Sequence, residues 1–305
     1  MKSIAPWIDK AIDNHSPETR VLGTGRSLIA LAQLSIIVLT PSSNLLNIPV
    51  KGQPTKPSCE GIGNMGAFCV FPQEISWLAK SVLVLALVIV ISGFYPRITS
   101  WLHVWATFSI SVGISLPDGG EQAAQVLVVL IALVLLGDNR RNHWSSGSSQ
   151  RRNSVLLGVS TASHILLRLQ IAFIYIDAAI TKTAVQEWQE GSAVYYVSRG
   201  AYFGVSGPLS DLVLWVTEKP LVSLVLTWGT IVLELAIAFF ILLKVKFRWV
   251  ALAVCTLLHI GIILIIGLWS FALVMIGGTC CAVLRLPRAD RQEIDSSPVP
   301  EQLGK

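Results

Sequence analysis

Of the 305 residues, 53% are hydrophobic and only 13% charged, with a mean hydropathy of +0.64, a balance that a soluble domain has too little polar surface to cover. The chain therefore reads as an integral membrane protein. Its net charge of +5 and pI near 9.0 come from cations in short loops, where they set membrane orientation, so nucleic-acid binding is excluded as the meaning of the basic balance.

Residues 1 to 20 are polar and carry both signs, unlike the short basic head of a cleaved signal peptide, and the first span is expected to be retained. Apolar windows follow near residues 21 to 40, 75 to 95, 101 to 116, 123 to 137, 155 to 180, 221 to 243 and 249 to 284. The last is too long for one crossing at about 20 residues per span and is interrupted around Gly267, Trp269 and Ser270, which predicts a helical hairpin. The expected fold is all-α, a polytopic transmembrane helical bundle of about eight spans over residues 21 to 285. A cytoplasmic segment (1 to 20) precedes it, and a polar tail (286 to 305), expected to be disordered, follows.

With the N-terminus inside, one face collects Lys2, Lys10, Arg20, Arg97, Arg140, Arg141, Arg151, Arg152, Lys244, Lys246, Arg248, Arg285, Arg288 and Arg291. The other face holds far fewer cations, which predicts a plasma-membrane protein with both termini inside. Two outer connections stand out. Residues 41 to 74 are rich in Pro, Gly and Asn and place Cys59 and Cys69 ten positions apart, able to form a disulfide outside the cytoplasm. Residues 183 to 220 carry Trp188, Tyr195, Tyr196, Tyr202, Phe203 and Trp215, and read as amphipathic pieces at the interface or as a lid folded back over the bundle.

Chemistry concentrates in the fifth window. Arg168, Tyr175 and Lys182 are seven residues apart, two helical turns each, and so share one helix face. A cation in hydrocarbon costs at least about 2.5 kcal/mol, so this stripe, with His164, Gln170 and Asp177 in the same span, points to an internal polar site. Burial would lower the basicity of Lys182 and fit it as a general base. Snorkelling to the headgroups, or pairing with Asp177 or Asp118, are the structural alternatives.

The short third and fourth windows are joined by PDGGEQ, so Asp118 and Glu121 either dip into the bundle toward Lys182 or form an ordinary surface turn. Glu234 lies mid-span in TWGTIVLELAIAFF and needs a cation or a proton; Arg168 and Arg26 are the expected partners, in an ion pair or a proton relay. His103 and His259 read as lone hydrogen-bonded helix contacts, and Cys255, Cys280 and Cys281 as small packing residues; no metal site is expected.

The stretches SLPDGGEQAAQVLVVLIALVLLGDNRRNHW, LRLQIAFIYIDAAITKTAVQEWQEGSAVYY and TWGTIVLELAI resemble the SdpB group, membrane partners needed to mature an SdpC-type sporulation-delaying antimicrobial peptide. The resemblance covers roughly residues 20 to 285 and extends to the HTTM superfamily, whose relatives include the membrane domain of vitamin K-dependent gamma-glutamyl carboxylase. The shared pattern falls on Gln170, Tyr175, Lys182, Glu187 and Trp188. In the carboxylase the matching lysine deprotonates reduced vitamin K on the lumenal side. By resemblance, then, Lys182, Tyr175, Asp118 and Glu121 are catalytic candidates, and Arg168, Gln170, Asp177, Glu187, Trp188 and Glu234 line a substrate or cofactor pocket.

Departures limit the transfer. Thr181-Lys182 stands where the carboxylase has two lysines, Asp118 to Glu121 replaces a histidine-containing loop, and the large soluble domain is absent. Quinol-driven carboxylation does not carry over. What the resemblance implies is base-assisted chemistry on an exported SdpC-like precursor peptide, with an SdpA-like protein and membrane lipid as partners and a quinone-like lipid as the cofactor by analogy. The competing class is non-enzymatic: a membrane chaperone, immunity or export factor in which Arg168, Lys182 and Glu234 only hold the bundle together. A transporter with Glu234 as proton carrier ranks below both.

Overall fold

A computed structural model describes residues 16–46, 57–71, 75–115, 118–145, 154–200 and 204–283. In chain order the helices are α1 (Arg20–Leu39), α2 (Ser42–Leu46), α3 (Ala67–Val70), α4 (Ser76–Ser92), α5 (Pro96–Gly113), α6 (Gly119–Leu135), α7 (Ser154–Thr183), α8 (Gln186–Gln189), α9 (Ala193–Ser198), α10 (Ser210–Thr217), α11 (Pro220–Leu242), α12 (Val245–Ile266) and α13 (Trp269–Val283). Eight of these, α1, α4 to α7 and α11 to α13, are the long helices of an all-α membrane bundle. The 249 to 284 window divides where Gly267 takes φ 72°, a left-handed conformation that a residue with a Cβ resists, and closes α12 through its N–H on Ile263 O. The expected hairpin is α12 and α13.

Two apolar cores share α1. Leu22 and Ile29 of α1 pack with α6, α7, α11, α12 and α13, while Ala30 and Ile37 pack with α4, α5 and the short helices α2 and α3. The α1–α13 contact is close enough that a Cβ on Gly25 would stand 2.5 Å from Gly277 O, so only glycine fits. Next to it, Cys280 and Cys281 donate their thiols to Val21 O and Leu22 O at 3.3 and 3.5 Å.

Between α1 and α5 runs a buried polar ladder. Arg26 donates to Thr99 at 2.7 Å, and two helical turns on, Gln33 joins Thr107 at 3.1 Å and His103 at 3.1 Å. Cys59 and Cys69 are joined in a disulfide around the 3-10 turn Gly61–Met65, which Trp105 Nε1 anchors to α5 through Met65 O at 3.0 Å. The tail 286 to 305 and most of the first twenty residues lie outside the described residues.

The connection after α6 is a plug with its own polar core. Buried Asp138 and Arg140 pair at 2.7 Å, and Arg140 also donates to the carbonyls of His143, Ser145 and Thr19 at 2.9, 3.1 and 3.4 Å. That guanidinium thereby ties the loop to the start of α1. His143, fully buried, fills the notch between Gly23 and Gly93, where added Cβ atoms would stand 2.9 and 2.4 Å from its ring. Burial, with the charges of Arg26 and Arg140 behind it, pushes its imidazole down to about 3 and keeps it neutral.

Candidate functional site

Thirty residues make α7 about 45 Å long at 1.5 Å per residue, more than a hydrocarbon core of about 30 Å requires, and Lys182 sits in its last turn. From there its ammonium reaches across to α11 and donates to Glu234 Oε1 at 2.7 Å, with Ala178 O a second acceptor at 3.3 Å. Glu234 is fifteen residues into α11 by its place in the sequence and its side chain is only 8% exposed, against 22% for Lys182. An unpaired carboxylate at that depth would be strongly disfavoured, so the ion pair accounts for both ionisable groups in an apolar span. The partners expected from sequence, Arg168 or Arg26 for Glu234 and Asp177 or Asp118 for Lys182, are not the ones found. One carboxylate oxygen, Glu234 Oε2, stays buried with no donor.

The 183 to 220 connection covers this pair. Val194 N donates to Thr227 Oγ1 at 3.2 Å and Ser223 Oγ to Gly191 O at 3.3 Å, which lays α8 and α9 against α11 about two to three turns before Glu234. Trp188 stands half-buried with its ring centroid 5.2 Å from Lys182 Nζ, a cation–π contact. Arg199, stacked on Tyr195 at 3.9 Å, holds α9 to α10 through Leu214 O at 2.7 Å and Thr217 Oγ1 at 3.0 Å. Trp215 and Tyr196 are exposed, and Tyr202 and Phe203 lie outside the described residues.

Two turns inward, Tyr175 is 2% exposed and its hydroxyl meets Cys255 Sγ at 3.1 Å. Cys255 is also 3.4 Å from Thr279 Oγ1 and 3.7 Å from His259 Nδ1, and the Tyr175 and His259 rings meet edge-on at 6.1 Å. His259 and Cys255 are therefore not isolated. Four residues apart, they share a face of α12, and that spacing was legible in the chain although each residue taken singly looked inert. Thr279, from α13, carries no local signal at all.

Asp118 and Glu121 form a capping box at the start of α6. Asp118 Oδ1 accepts from Gly120 N and Glu121 N at 2.6 and 3.2 Å, and Glu121 Oε2 accepts from Asp118 N at 2.7 Å. Glu121 is buried and turned into the bundle, while Asp118 Oδ2 accepts from Ser270 Oγ on α13 at 3.0 Å. No hydrogen bond or ion pair joins either acid to Lys182; their link to the Tyr175 cluster is Phe271, which touches Gly120 and lies 5.4 Å from the His259 ring. Elsewhere on α7, Arg168 binds His164 and Ala282 O, Gln170 is half-buried, and Asp177 and, beyond the helix, Glu187 are exposed. Among the described residues no three His, Cys, Asp or Glu side chains are placed to hold a metal ion.

The HTTM domain family matches residues 70–283, which take in α4 through α13 and with them the Lys182–Glu234 pair and everything around it. This chain belongs to the HTTM family. It is 32% identical over 270 residues to the uncharacterized protein YitO of Bacillus subtilis (strain 168), a match spanning 87% of this chain and 85% of that protein. It is 31% identical over 272 residues to the sporulation-delaying protein SdpB of the same organism, spanning 87% of this chain and 81% of SdpB. The match to SdpB places it with SdpB in the HTTM family. No solved structure matches. Of the eight long helices among the described residues, α1 is the one outside the matched range, yet it supplies half of the polar ladder and part of both cores.

Proposed function

We propose that this HTTM protein acts in the maturation of a secreted SdpC-type antimicrobial peptide, and that the Lys182–Glu234 pair handles the proton in that chemistry on the outer side of the membrane. The observation that carries the reading is a cation and a carboxylate 2.7 Å apart under a folded-back aromatic segment, with one buried carboxylate oxygen still lacking a donor. In a poorly hydrated site the proton can move from Lys182 Nζ to Glu234 Oε1, leaving a neutral amine and a neutral acid. The amine lone pair then accepts a proton from a substrate group, and the acid is the donor that returns one. Tyr175, Cys255, His259 and Thr279 form the rigid polar floor beneath it.

The quinone-like lipid inferred by analogy would be held through its hydroxyl at Glu234 Oε2, the buried acceptor that has no donor. Such a group, when bound, supplies a redox-active ring whose reactivity depends on losing that proton. An SdpA-like protein and an SdpC-like precursor are the proposed partners, on the strength of the similarity to SdpB.

Mass spectrometry of the secreted peptide, from cells with and without this protein, is the direct test. A mass change or an altered terminus that depends on the protein supports maturation; an identical peptide in both cultures excludes it and leaves a chaperone, immunity or export role.

Topology is part of the same proposal, with both termini inside. A cysteine at Ser145, in the basic connection after α6, is expected to be shielded from an impermeant thiol reagent in intact cells, and one at Gln53 to be labelled. The opposite labelling pattern inverts the orientation and removes Lys182 from the outer side.

A further inference from the structure

Sequence spacing groups Arg168 with Lys182, yet fourteen residues of α7, about 21 Å of helix, separate them. Arg168 lies at the level where α13 ends and α12 begins. Its Nη2 donates to His164 Nδ1 at 2.6 Å and its Nε to Ala282 O at 3.3 Å. Arginine can only donate, so Nδ1 must be the acceptor; His164 is then the neutral tautomer whose Nε2–H donates to Ala282 O at 3.1 Å. Neither partner brings negative charge.

Arg168 and Arg248, the latter in the first turn of α12, each lie seven residues, two helical turns, before the Tyr175–Cys255 contact that joins α7 to α12, so the two guanidiniums come from neighbouring helices at one depth. Arg248 Nε donates to Leu243 O at 2.8 Å, and its two terminal nitrogens have no acceptor among the described residues. Lys244 and Lys246, both exposed, add two more cations to the same turn. No Asp or Glu occurs between Asp138 and Asp177 or between Glu234 and Asp290, so neither α7 up to Arg168 nor the turn from α11 into α12 brings a carboxylate of its own. Asp138 is already paired with Arg140. Two half-buried like charges whose hydrogen-bond partners among the described residues are an imidazole and two carbonyls favour an added anion.

We propose that Arg168 and Arg248 form a binding site for the phosphate of an anionic phospholipid headgroup. A guanidinium fork matches a phosphate in two hydrogen bonds, and two forks at one depth on neighbouring helices can share a single anion. The surroundings select a lipid over a soluble phosphate. Ile165 and Leu169 on α7, Leu242 at the end of α11 and Val250 at the start of α12, which flank the two arginines along the chain, are 48, 50, 46 and 43% exposed, apolar surface on which acyl chains can lie. This site is independent of the Lys182 chemistry.

The test uses purified full-length protein in detergent. Native mass spectrometry with phosphatidylglycerol and phosphatidylcholine of equal chain length should show at least tenfold preferential retention of the anionic lipid. Thermal melting of the same protein should rise with phosphatidylglycerol and stay unchanged with phosphatidylcholine or millimolar inorganic phosphate. The preference should disappear in Arg168→Gln/Arg248→Gln and persist in Arg141→Gln, which removes an exposed cation elsewhere. Equal retention of the two lipids by the wild-type protein overturns the proposal, with no appeal to any variant. So does an undiminished preference in the double variant, and stabilisation by inorganic phosphate alone reassigns the ligand to a soluble anion. The acidic tail is the remaining competitor: stabilisation lost on truncation after Arg288, with no lipid preference, would make residues 289 to 305 the occupant and overturn the lipid assignment.

Discussion

Lys182→Arg is expected to abolish peptide maturation almost as completely as Lys182→Met, with the protein still inserted and folded. Arginine keeps the charge and can bond Glu234, but it does not release a proton at any accessible pH, so a site that works by proton transfer fails while a site that needs only a cation survives. The two substitutions part on stability. Breaking a fully buried pair from one side costs about 3–5 kcal/mol, and Lys182 is 22% exposed, so Lys182→Met should cost less than that range and Lys182→Arg little. Glu234→Leu combined with Lys182→Met should recover stability, because no charge is then left unpaired, while maturation stays absent. Activity is read as the mass of the secreted peptide and stability as melting in detergent. Normal maturation by Lys182→Arg removes the proton-transfer reading and leaves a structural ion pair.

Arg140→Met should be the most destabilising substitution outside the spans. It removes a guanidinium whose donors hold Asp138, His143, Ser145 and Thr19, and it leaves a buried carboxylate alone, for a loss of about 3–5 kcal/mol. His143 adds a pH dependence with a definite sign. Its folded-state value is held down to about 3 from the ordinary 6.5, so the unfolded chain binds the extra proton. Its contribution is fully present above about pH 6.5 and is lost progressively as pH falls from there toward about 3. His143→Gln should flatten that part of the profile of melting temperature against pH. An unchanged slope would mean that another group governs acid sensitivity.

Much of this protein was legible in the chain. The apolar windows located all eight long helices to within a few residues because a membrane span must satisfy its backbone internally and present apolar side chains over some 20 residues, a rule that acts locally. The break at Gly267 is likewise a local matter, a left-handed residue between two apolar runs. Similarity over most of the chain carried the SdpB and HTTM assignment, and the two-turn spacing of Tyr175 and Lys182 correctly placed both on one helix face. Partners were another matter. Lys182 meets Glu234, 52 positions away, because α7 ends deep beside α11; Arg168 meets Ala282 because α13 ends at its level; and Cys255 joins Tyr175 and Thr279 from three different helices. Asp138, Arg140 and His143 looked like one more stretch of loop charge. Which of several buried ions neutralises which depends on helix depth and rotation, and these are fixed by close packing such as Gly25 on Gly277 and Gly120 on Phe271, hundreds or scores of positions apart. Hydropathy along the chain determines what enters the membrane, whereas the pairing of its few charges is decided only when the helices pack.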